Sequence, residues 1–360
     1  MVLSDPTLRG AEPTVLVATP VGALGGVARH LLDLARVGVP GHRLVFLTPD
    51  GPLAGALSAA GAAVLTGRFG PDAGLRASVG TLRGVVTRLR PAIIHTHLSY
   101  ADVVAPLASA GLPVRLVTTE HGIAADDLVY HGSAAKAALM ARVHQTRLRA
   151  FRAIVAVSEA TAAAMRSKWH PATPIVVIPN GVDAPATPPT PHAGLRVVSI
   201  ARLSPEKRID QLLRALALVV ADRPEAGLAI AGEGPLRDSL EALTGELGLT
   251  DHVRLLGFRD AAEVMAEADV LAQLSVWENC SYSLLDAVSH GLGVCASDVG
   301  GNPEILPAHC LVNADDPGQV ARVLIDQGTA LGERPRLGPE WPTTLGMAQR
   351  LAEVYQGVLR

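Results

Sequence analysis

The sequence predicts an α/β protein with two domains, each built on a parallel sheet that helices cover. Its 360 residues exceed the roughly 150 residues of an average domain. Apolar residues make up 49% of the chain but aromatic residues only 3%, and small apolar side chains suit helices packed closely on a sheet. Short β-branched runs alternate with longer stretches of helical period, which indicates parallel strands joined by helical crossovers.

The first domain is predicted to cover residues 1–183. Its first strand precedes the helical pattern GVARHLLDLARVG, and a Pro/Thr-rich segment, APATPPTPHAG, follows its last strand. Neither a helix nor a strand continues through such a segment, so residues 184–194 are predicted to be a linker. The predicted strands are TVLVAT, HRLVFLT, AIIHTH, PVRLVTT, AIVAVS and PIVVIP.

The second domain is predicted over residues 195–338, and a C-terminal helix over 339–360. The helix would carry Met347, Leu351, Val354 and Leu359 near one face. The predicted strands of the second domain are RVVSIA, GLAIAGE, HVRLLGF, VLAQLS and LGVCAS.

Charge and cysteine content exclude several classes of protein. A net charge of −3 without a basic tail argues against a nucleic-acid partner. The three cysteines lack Cys-x-x-Cys spacing, which argues against a disulfide framework and a zinc site. We expect a cytoplasmic protein with at most peripheral contact at the inner face of a membrane, because neither an apolar run long enough to span nor a signal peptide is visible.

Polar clusters follow the predicted strands of both domains. In open α/β sheets, ligands bind outside the carboxyl ends of the strands. The clusters are PVGALGGVARH, HTHLSYAD and TEHG in the first domain, and ARLSPEKRID, GEGPLR, GFRD, WENCSYSLLD and SDVGGNPE in the second. We therefore expect both domains to present binding residues to one cleft.

The strings of the second domain occur in the order found in the family-four retaining glycosyltransferases, and the chain resembles that family from Gly25-Gly26 to its last helix. The resemblance implies the GT-B fold, in which two Rossmann-like domains face each other across a deep interdomain cleft. It also implies an acceptor-side first domain and a last helix that crosses back to it. The implied reaction moves a hexose-type sugar from a nucleotide diphosphate-sugar to an acceptor hydroxyl, with retention of anomeric configuration.

Four residues would act on the donor if the resemblance holds. Arg202 and Lys207 would stabilise the leaving diphosphate, although both could also be solvated surface cations. Glu278 would be catalytic, positioning the donor sugar and supporting positive charge at its anomeric carbon, although it could also be a solvated loop carboxylate. Asp286 stands where the family has a Glu that binds the nucleotide ribose, but Ser283-x-x-Asp286 also fits a capping box at a helix start.

The remaining donor contacts implied by the resemblance come from loops and a helix start. Residues 279–284 would present free N–H groups to a phosphate or sugar. Cys280 is not expected to be a nucleophile, because nothing near it in sequence lowers a thiol pKa. Gly300-Gly301 and Pro303-Glu304 would either bring backbone close to a ligand or form an ordinary tight turn. The donor-binding residues are Gly25, Gly26, Arg202, Lys207, Gly257, Phe258, Asn279, Cys280, Ser281, Tyr282, Ser283, Leu284 and Asp286.

Three histidines of the first domain need separate treatment. His121 in TEHG matches a family histidine near the reacting sugar, so we expect a catalytic role, although a lone histidine is commonly structural. His95 and His97 alternate along one strand and are assigned to opposite faces, which would prevent them from chelating one ion together. We expect His95 to be structural. No metal or other cofactor is expected, because the chain has no Asp-x-Asp motif.

The acceptor is the least constrained partner and is expected to be a glycan, a lipid-linked molecule or a small molecule. The segment KAALMARVHQTRLRAFR gathers Lys136, Arg142, Arg147, Arg149 and Arg152 on one predicted helix. It forms either a solvated basic face or a contact with anionic lipid headgroups.

Two alternative functions fit the same sequence. A sugar-nucleotide 2-epimerase would turn over the donor without an acceptor. A non-catalytic sugar-nucleotide-binding protein would bind the donor without transfer, and the Asp at position 286 is the departure that favours it.

Overall fold

The computed structural model describes residues 12–123, 142–185 and 190–360, and the chain divides into two compact units. Unit one is Met1–Gly181 with Pro342–Arg360, and unit two is Val182–Trp341. Among the described helices, none is long and apolar enough to cross a membrane.

Unit one contains a seven-stranded parallel sheet in the order β3-β2-β1-β4-β5-β6-β7. The chain moves from β1 outward through β2 and β3, and then returns to β4 on the other side of β1. This makes β1/β4 the topological switch point, where ligands bind in open α/β sheets. The strands are β1 Thr14–Ala18, β2 Arg43–Thr48, β3 Ala63–Thr66, β4 Ile93–His97, β5 Arg115–Glu120, β6 Ala153–Ala156 and β7 Ile175–Val177.

Helices cover this sheet and bury small and branched apolar side chains. Leu31 and Leu34 of the first helix are fully buried, since they recur at helical spacing on the face towards the strands. The helices are α1 Gly26–Val37, α2 Pro52–Ala59, α3 Leu75–Leu89, α4 Ser99–Ser109 and α5 Glu159–Trp169.

Unit two repeats the architecture with six parallel strands in the order β10-β9-β8-β11-β12-β13. Its switch point is β8/β11. The strands are β8 Arg196–Ile200, β9 Gly227–Ala231, β10 Val253–Gly257, β11 Val270–Gln273, β12 Gly293–Ser297 and β13 Leu311–Val312. The helices are α6 Ile209–Asp222, α7 Arg237–Glu246, α8 Ala261–Ala266, α9 Tyr282–Ser289, α10 Asn302–Ile305 and α11 Pro317–Thr329. The two Rossmann-like sheets confirm the predicted fold class.

The last helix, α12 Thr344–Leu359, belongs to unit one, where it packs against α1. Met347, Leu351 and Tyr355 are buried. The Tyr355 hydroxyl also lies 2.6 Å from Nδ1 of His95 on β4. Leu359, which was expected on the apolar face, is 37% exposed, because it lies in the final turn.

Candidate functional site

The switch point of unit two brings together two of the predicted donor residues. Lys207 ends the 3₁₀ turn Pro205–Lys207, which follows β8. Glu278 lies in the loop between β11 and α9. Because β8 and β11 are neighbouring parallel strands, the segments after their carboxyl ends meet at one edge of the sheet.

Lys207 and Glu278 form an ion pair that a serine shares. Lys207 Nζ donates to Oε1 of Glu278 and lies 3.3 Å from Ser275 Oγ. The Ser275 hydroxyl donates to the same carboxylate oxygen at 2.8 Å. The two charged side chains are 21% and 13% exposed. Both are thus held in place and still reachable by a ligand.

The Gly300-Gly301 turn supports the backbone of Glu278. Gly300 has φ 53°, and a Cβ atom there would collide with the carbonyl oxygen of Glu278. The Gly301 N–H donates to that oxygen at 3.3 Å. The Gly300-Gly301 turn therefore packs against the backbone of Glu278, which the sequence did not reveal. Pro303 and Glu304 lie in α10.

Arg202 is more exposed than Lys207. Its guanidinium forms an ion pair with Glu206 at 2.8 Å, and its side chain is 70% exposed. Burial favours the protonated form of Glu206, but hydrogen bonds from Ser204 and Arg202 outweigh that effect and lower the pKa of the carboxyl. Arg202 is thus a cation on the surface of unit two with a charged partner.

The start of α9 is built differently from the capping box that the sequence suggested. Ser281 is the N-cap, and its Oγ accepts from the Leu284 N–H at 3.4 Å. Gln273 donates to the same Oγ at 2.8 Å. Asp286 is the fifth residue of α9, so the proposed pairing of Ser283 with Asp286 as a cap is wrong.

The other predicted donor residues of this segment differ in exposure. Asn279, Cys280, Ser281 and Leu284 are buried, whereas Tyr282, Ser283 and Asp286 are half-buried. Cys280 is 9% exposed.

Gly257 and Phe258 lie at the end of β10, two strands away from β8. Gly257 has φ 69°, and its carbonyl oxygen accepts from the Gly232 N–H at 2.8 Å. Phe258 is 68% exposed. An aromatic ring in that position is available for stacking on a flat ligand.

In unit one, Gly25 and Gly26 stand at the start of α1, directly after β1. A Cβ atom at either position would meet nothing within 4 Å among the described residues. The packing of the described residues therefore does not require glycine at position 25 or 26. Because Gly25 and Gly26 are small, the first-turn N–H groups of α1 stay accessible.

His121, the predicted catalytic histidine, lies in a cluster just after β5. Its Nε2 is 2.7 Å from Nδ1 of His97. His30 of α1 is the third member, with its ring centroid 4.8 Å from that of His121. No pattern in the sequence indicated His30. We call His30, His97 and His121 the histidine cluster.

The expectation that His95 and His97 point to opposite faces is wrong. Their ring centroids are 4.4 Å apart, because residues two apart on a strand share a face. His95 is nevertheless structural, since its nitrogens lie 2.6 Å from the Tyr355 hydroxyl and 2.8 Å from the Thr119 hydroxyl.

The predicted basic helix falls partly outside the described residues, which exclude Lys136. The described part is helical over 142–148, and Arg142, Arg149 and Arg152 are exposed. Arg147 is 5% exposed and forms ion pairs with Asp102 and Glu120. Burial lowers its pKa to about 9, which leaves it charged at neutral pH. Arg147 is therefore a structural cation and not part of a basic surface.

Comparison with known proteins assigns both units. Residues 24–185 match the model for Glycosyltransferase Family 4, and residues 194–327 match the model for Glycosyl transferases group 1. The crystal structure of Anabaena Alr3699/HepE in complex with UDP and glucose superimposes with a TM-score of 0.80 at 21% identity, covering 96% of this chain and 100% of that chain.

Two curated relatives illustrate the range of the family. A phosphatidylinositol N-acetylglucosaminyltransferase subunit of Homo sapiens is 28% identical over 245 residues, which are 65% of this chain and 49% of the relative. The 2-deoxystreptamine glucosyltransferase of Streptomyces kanamyceticus is 30% identical over 236 residues, 56% of this chain and 59% of the relative. The chain thus spans about half the length of these relatives. The two family models and the GT-B fold show that the chain belongs to the group 1/family 4 glycosyltransferases.

Proposed function

We propose that the protein transfers a sugar from a nucleotide diphosphate-sugar to an acceptor hydroxyl, with retention of anomeric configuration and without a metal ion at the diphosphate. The observation that carries this proposal is the Lys207–Glu278 pair at the switch point of unit two. It supplies a cation for a leaving diphosphate and a carboxylate for a sugar that gains positive charge. The names of both curated relatives describe sugar transfer.

In the proposed reaction, the bond between the anomeric carbon and a diphosphate oxygen breaks, and the acceptor oxygen bonds to that carbon on the same face. The acceptor proton passes to the departing diphosphate oxygen. Lys207 and Arg202 neutralise the charge that develops on the diphosphate. Glu278 orients the sugar and stabilises its positive charge, and Asp286 hydrogen-bonds the ribose.

Lys207 must change partners when the donor binds. In the free protein its ammonium is bound to Glu278 and Ser275. A diphosphate offers a second anionic partner, and Ser275 keeps a hydrogen bond to Glu278 at 2.8 Å. The carboxylate therefore stays oriented while the ammonium turns to the phosphate.

Residues of unit one are proposed to act on the reacting sugar and the acceptor. Gly25 and Gly26 offer the N–H groups of the first turn of α1, and His121 offers an imidazole. Burial lowers the pKa of His121 well below its usual range, so the ring is neutral at pH 7 and can accept or donate one hydrogen bond. A neutral ring suits contact with sugar hydroxyls.

The test measures nucleoside diphosphate release from UDP-glucose, UDP-N-acetylglucosamine and GDP-mannose. Each donor is tried alone, with phosphatidylinositol vesicles and with 2-deoxystreptamine, and Glu278→Gln serves as the control. We expect release that requires an acceptor and that falls in the variant. The anomeric configuration of the product, read by NMR, should match that of the donor.

Two results would favour the alternatives. Conversion of a donor to its 2-epimer without acceptor would identify an epimerase. Donor binding without release in any arm would favour a sugar-nucleotide-binding protein.

A further inference from the structure

The histidine cluster lies at the switch point of unit one, and the role proposed for His121 in sugar transfer does not explain the other two members. Its members come from three separate elements: His30 from α1, His97 from the end of β4 and His121 from the segment after β5. One ring nitrogen of each lies within 4.8 Å of those of the other two. The ring centroids of His97 and His121 are 5.0 Å apart, and those of His30 and His97 are 5.5 Å apart.

The tautomer of His30 follows from its neighbour. Nδ1 of His30 lies 3.1 Å from Oδ1 of Asn180. An amide oxygen only accepts hydrogen bonds, so Nδ1 carries the proton and Nε2 carries a lone pair. That Nε2 atom is buried and has no hydrogen-bond partner among the described residues.

His97 has a similar unsatisfied nitrogen. Its Nδ1 faces His121, while its Nε2 is buried without a hydrogen-bond partner in the part of the chain that the structure describes. The residue is fully buried, and His30 is 4% exposed. Buried polar atoms normally have partners, so the lone pair on Nε2 of His30 in particular requires an explanation.

His95 shows that the fold can satisfy a buried histidine in this region. It lies on the same strand as His97 and is equally buried, yet both of its nitrogens have hydroxyl partners. Among the buried histidines that the structure describes, the nitrogens without a hydrogen-bond partner are those of His30 and His97, both in the cluster.

We propose that His30, His97 and His121 form a three-imidazole site for one transition-metal ion of the zinc class. Zinc binds imidazole nitrogen at about 2.0–2.1 Å, and catalytic sites commonly use three protein ligands with a fourth position open. Small ring rotations would replace the N–H···N contact of His97 and His121 with two coordinate bonds. They would also give Nε2 of His30 a partner.

The chemistry of the ligands selects the kind of ion. Three neutral nitrogen donors suit zinc, cobalt, nickel or copper, whereas magnesium and calcium prefer oxygen. Burial lowers the pKa of His30 to about 4 and holds the pKa values of His97 and His121 well below their usual range. At neutral pH all three rings are in the unprotonated form that binds metals.

Asn180 is a positioning residue for this site. By accepting a hydrogen bond from the Nδ1–H of His30, it fixes which nitrogen faces the cluster, as hydrogen-bond acceptors behind metal-binding histidines do. Its removal is expected to weaken metal affinity by about 10- to 100-fold.

The test uses the untagged full chain, stripped of metal with a chelator and titrated with Co²⁺ at about pH 7.5, where the ligands are unprotonated. We expect one Co²⁺ per chain, with the visible absorption of a nitrogen-ligated ion and displacement by Zn²⁺. His30→Gln and His121→Gln should abolish binding, and Asn180→Ala should weaken it. His309→Gln is the matched control, because His309 is an exposed histidine of unit two, and it should bind as the wild type does.

Two outcomes would overturn the proposal. One is a wild-type protein that binds no Co²⁺ and whose thermal unfolding midpoint Zn²⁺ does not raise. The other is binding that persists unchanged in His30→Gln or His121→Gln. If those variants fail to fold, the wild-type stoichiometry and Asn180→Ala decide the matter. None of these measurements needs a sugar donor, so they are independent of the proposed transfer.

Discussion

At the scale of single residues, the ion pair of Glu278 with Lys207 determines the charge and orientation of the carboxylate in the second unit. The carboxylate has two hydrogen-bond donors on one oxygen, Lys207 and Ser275. A ligand that draws Lys207 away leaves the carboxylate charged and oriented by the serine. In the proposed reaction, its negative charge then stabilises the sugar, which becomes positive as its bond to the diphosphate breaks.

Removal of that charge should affect turnover far more than binding. We expect Glu278→Gln to lower turnover by about 10²- to 10³-fold, the usual scale for one transition-state electrostatic contact. Affinity for the nucleoside diphosphate should change little, because Arg202 and Lys207 are the residues proposed to hold the diphosphate. Steady-state rates and calorimetric titration with UDP or GDP measure the two effects. A fall in turnover of less than about threefold, far below that scale, would show that Glu278 has another role.

The histidines show where sequence reasoning succeeds and fails at this scale. The sequence predicts a structural role for His95. It does not predict the partner Tyr355, which lies 260 positions away. His30 could not be recognised, because its neighbours reach it only through the order of the strands. The error about His95 and His97 was avoidable, since strand geometry alone places residues two apart on one face.

At the scale of elements, the start of α9 separates helix capping from nucleotide binding, the two roles that the sequence left open for Asp286. Ser281 caps the helix, so Asp286 does not serve as the cap. Asp286→Ala should therefore weaken nucleotide binding more than it lowers stability. Ser281→Ala should instead lower the free energy of unfolding by about 1 kcal/mol.

Thermal unfolding and nucleotide titration of both variants provide the comparison. If Asp286→Ala lost stability and kept the affinity of the wild type for UDP or GDP, ribose binding by Asp286 would be excluded.

The Gly300-Gly301 turn contacts the backbone of Glu278, whose carboxylate is proposed to be catalytic. An alanine at position 300 would place a non-glycine residue in the left-handed region, at a cost of about 1 kcal/mol or more. Its Cβ would also push against the Glu278 carbonyl. We expect Gly300→Ala to lower stability and to lower turnover through displacement of Glu278.

The matched control is Gly245→Ala. Gly245 lies in α7, and a Cβ atom there meets none of the described residues within 4 Å, so alanine should stabilise the helix by about 0.5–1 kcal/mol. Urea unfolding and turnover rates compare the two variants. Wild-type turnover in Gly300→Ala would mean that the turn does not position Glu278.

Most of the described strands were predictable because each is a compact β-branched run followed by turn residues. Two strands were not predicted. β3 is four residues long and mostly exposed, and β13 has only two residues. Both pair with a single neighbour at the edge of a sheet, so tertiary pairing and not local pattern determines them.

At the scale of the whole molecule, stability should depend on pH through the buried histidines. The pKa of His30 is lowered by burial from 6.5 to about 4. The unfolded chain therefore takes up the proton first as the pH falls. The stability that neutral His30 contributes is complete above about pH 6.5 and is lost progressively towards pH 4.

A comparison of the wild type with His30→Gln isolates this effect. Between about pH 7 and pH 5, the wild type should lose about 2 kcal/mol more of its free energy of unfolding than the variant, by linkage. Both proteins contain Glu120, whose pKa burial raises, so its contribution, which has the opposite sign, cancels in the comparison. Urea unfolding in EDTA at both pH values measures the difference, and equal losses would contradict the prediction.

Transfer by the whole molecule should survive removal of divalent metal ions. The second unit offers Arg202 and Lys207 as cations for the diphosphate, and the chain has no Asp-x-Asp motif to recruit an ion there. We expect the initial rate to change by less than about twofold after exhaustive EDTA treatment, because fixed charges already provide the electrostatic stabilisation.

The experiment compares rates after EDTA treatment with and without added Mg²⁺ or Mn²⁺. Zn²⁺ is kept out of the assay, so that binding at the histidine cluster cannot confuse the result. Ions that prefer oxygen ligands bind poorly to three imidazoles, so rescue by Mg²⁺ would point to the diphosphate and not to the cluster. Loss of activity in EDTA with rescue by Mg²⁺ or Mn²⁺ would show that a metal holds the leaving group, and the roles proposed for Arg202 and Lys207 would then be wrong.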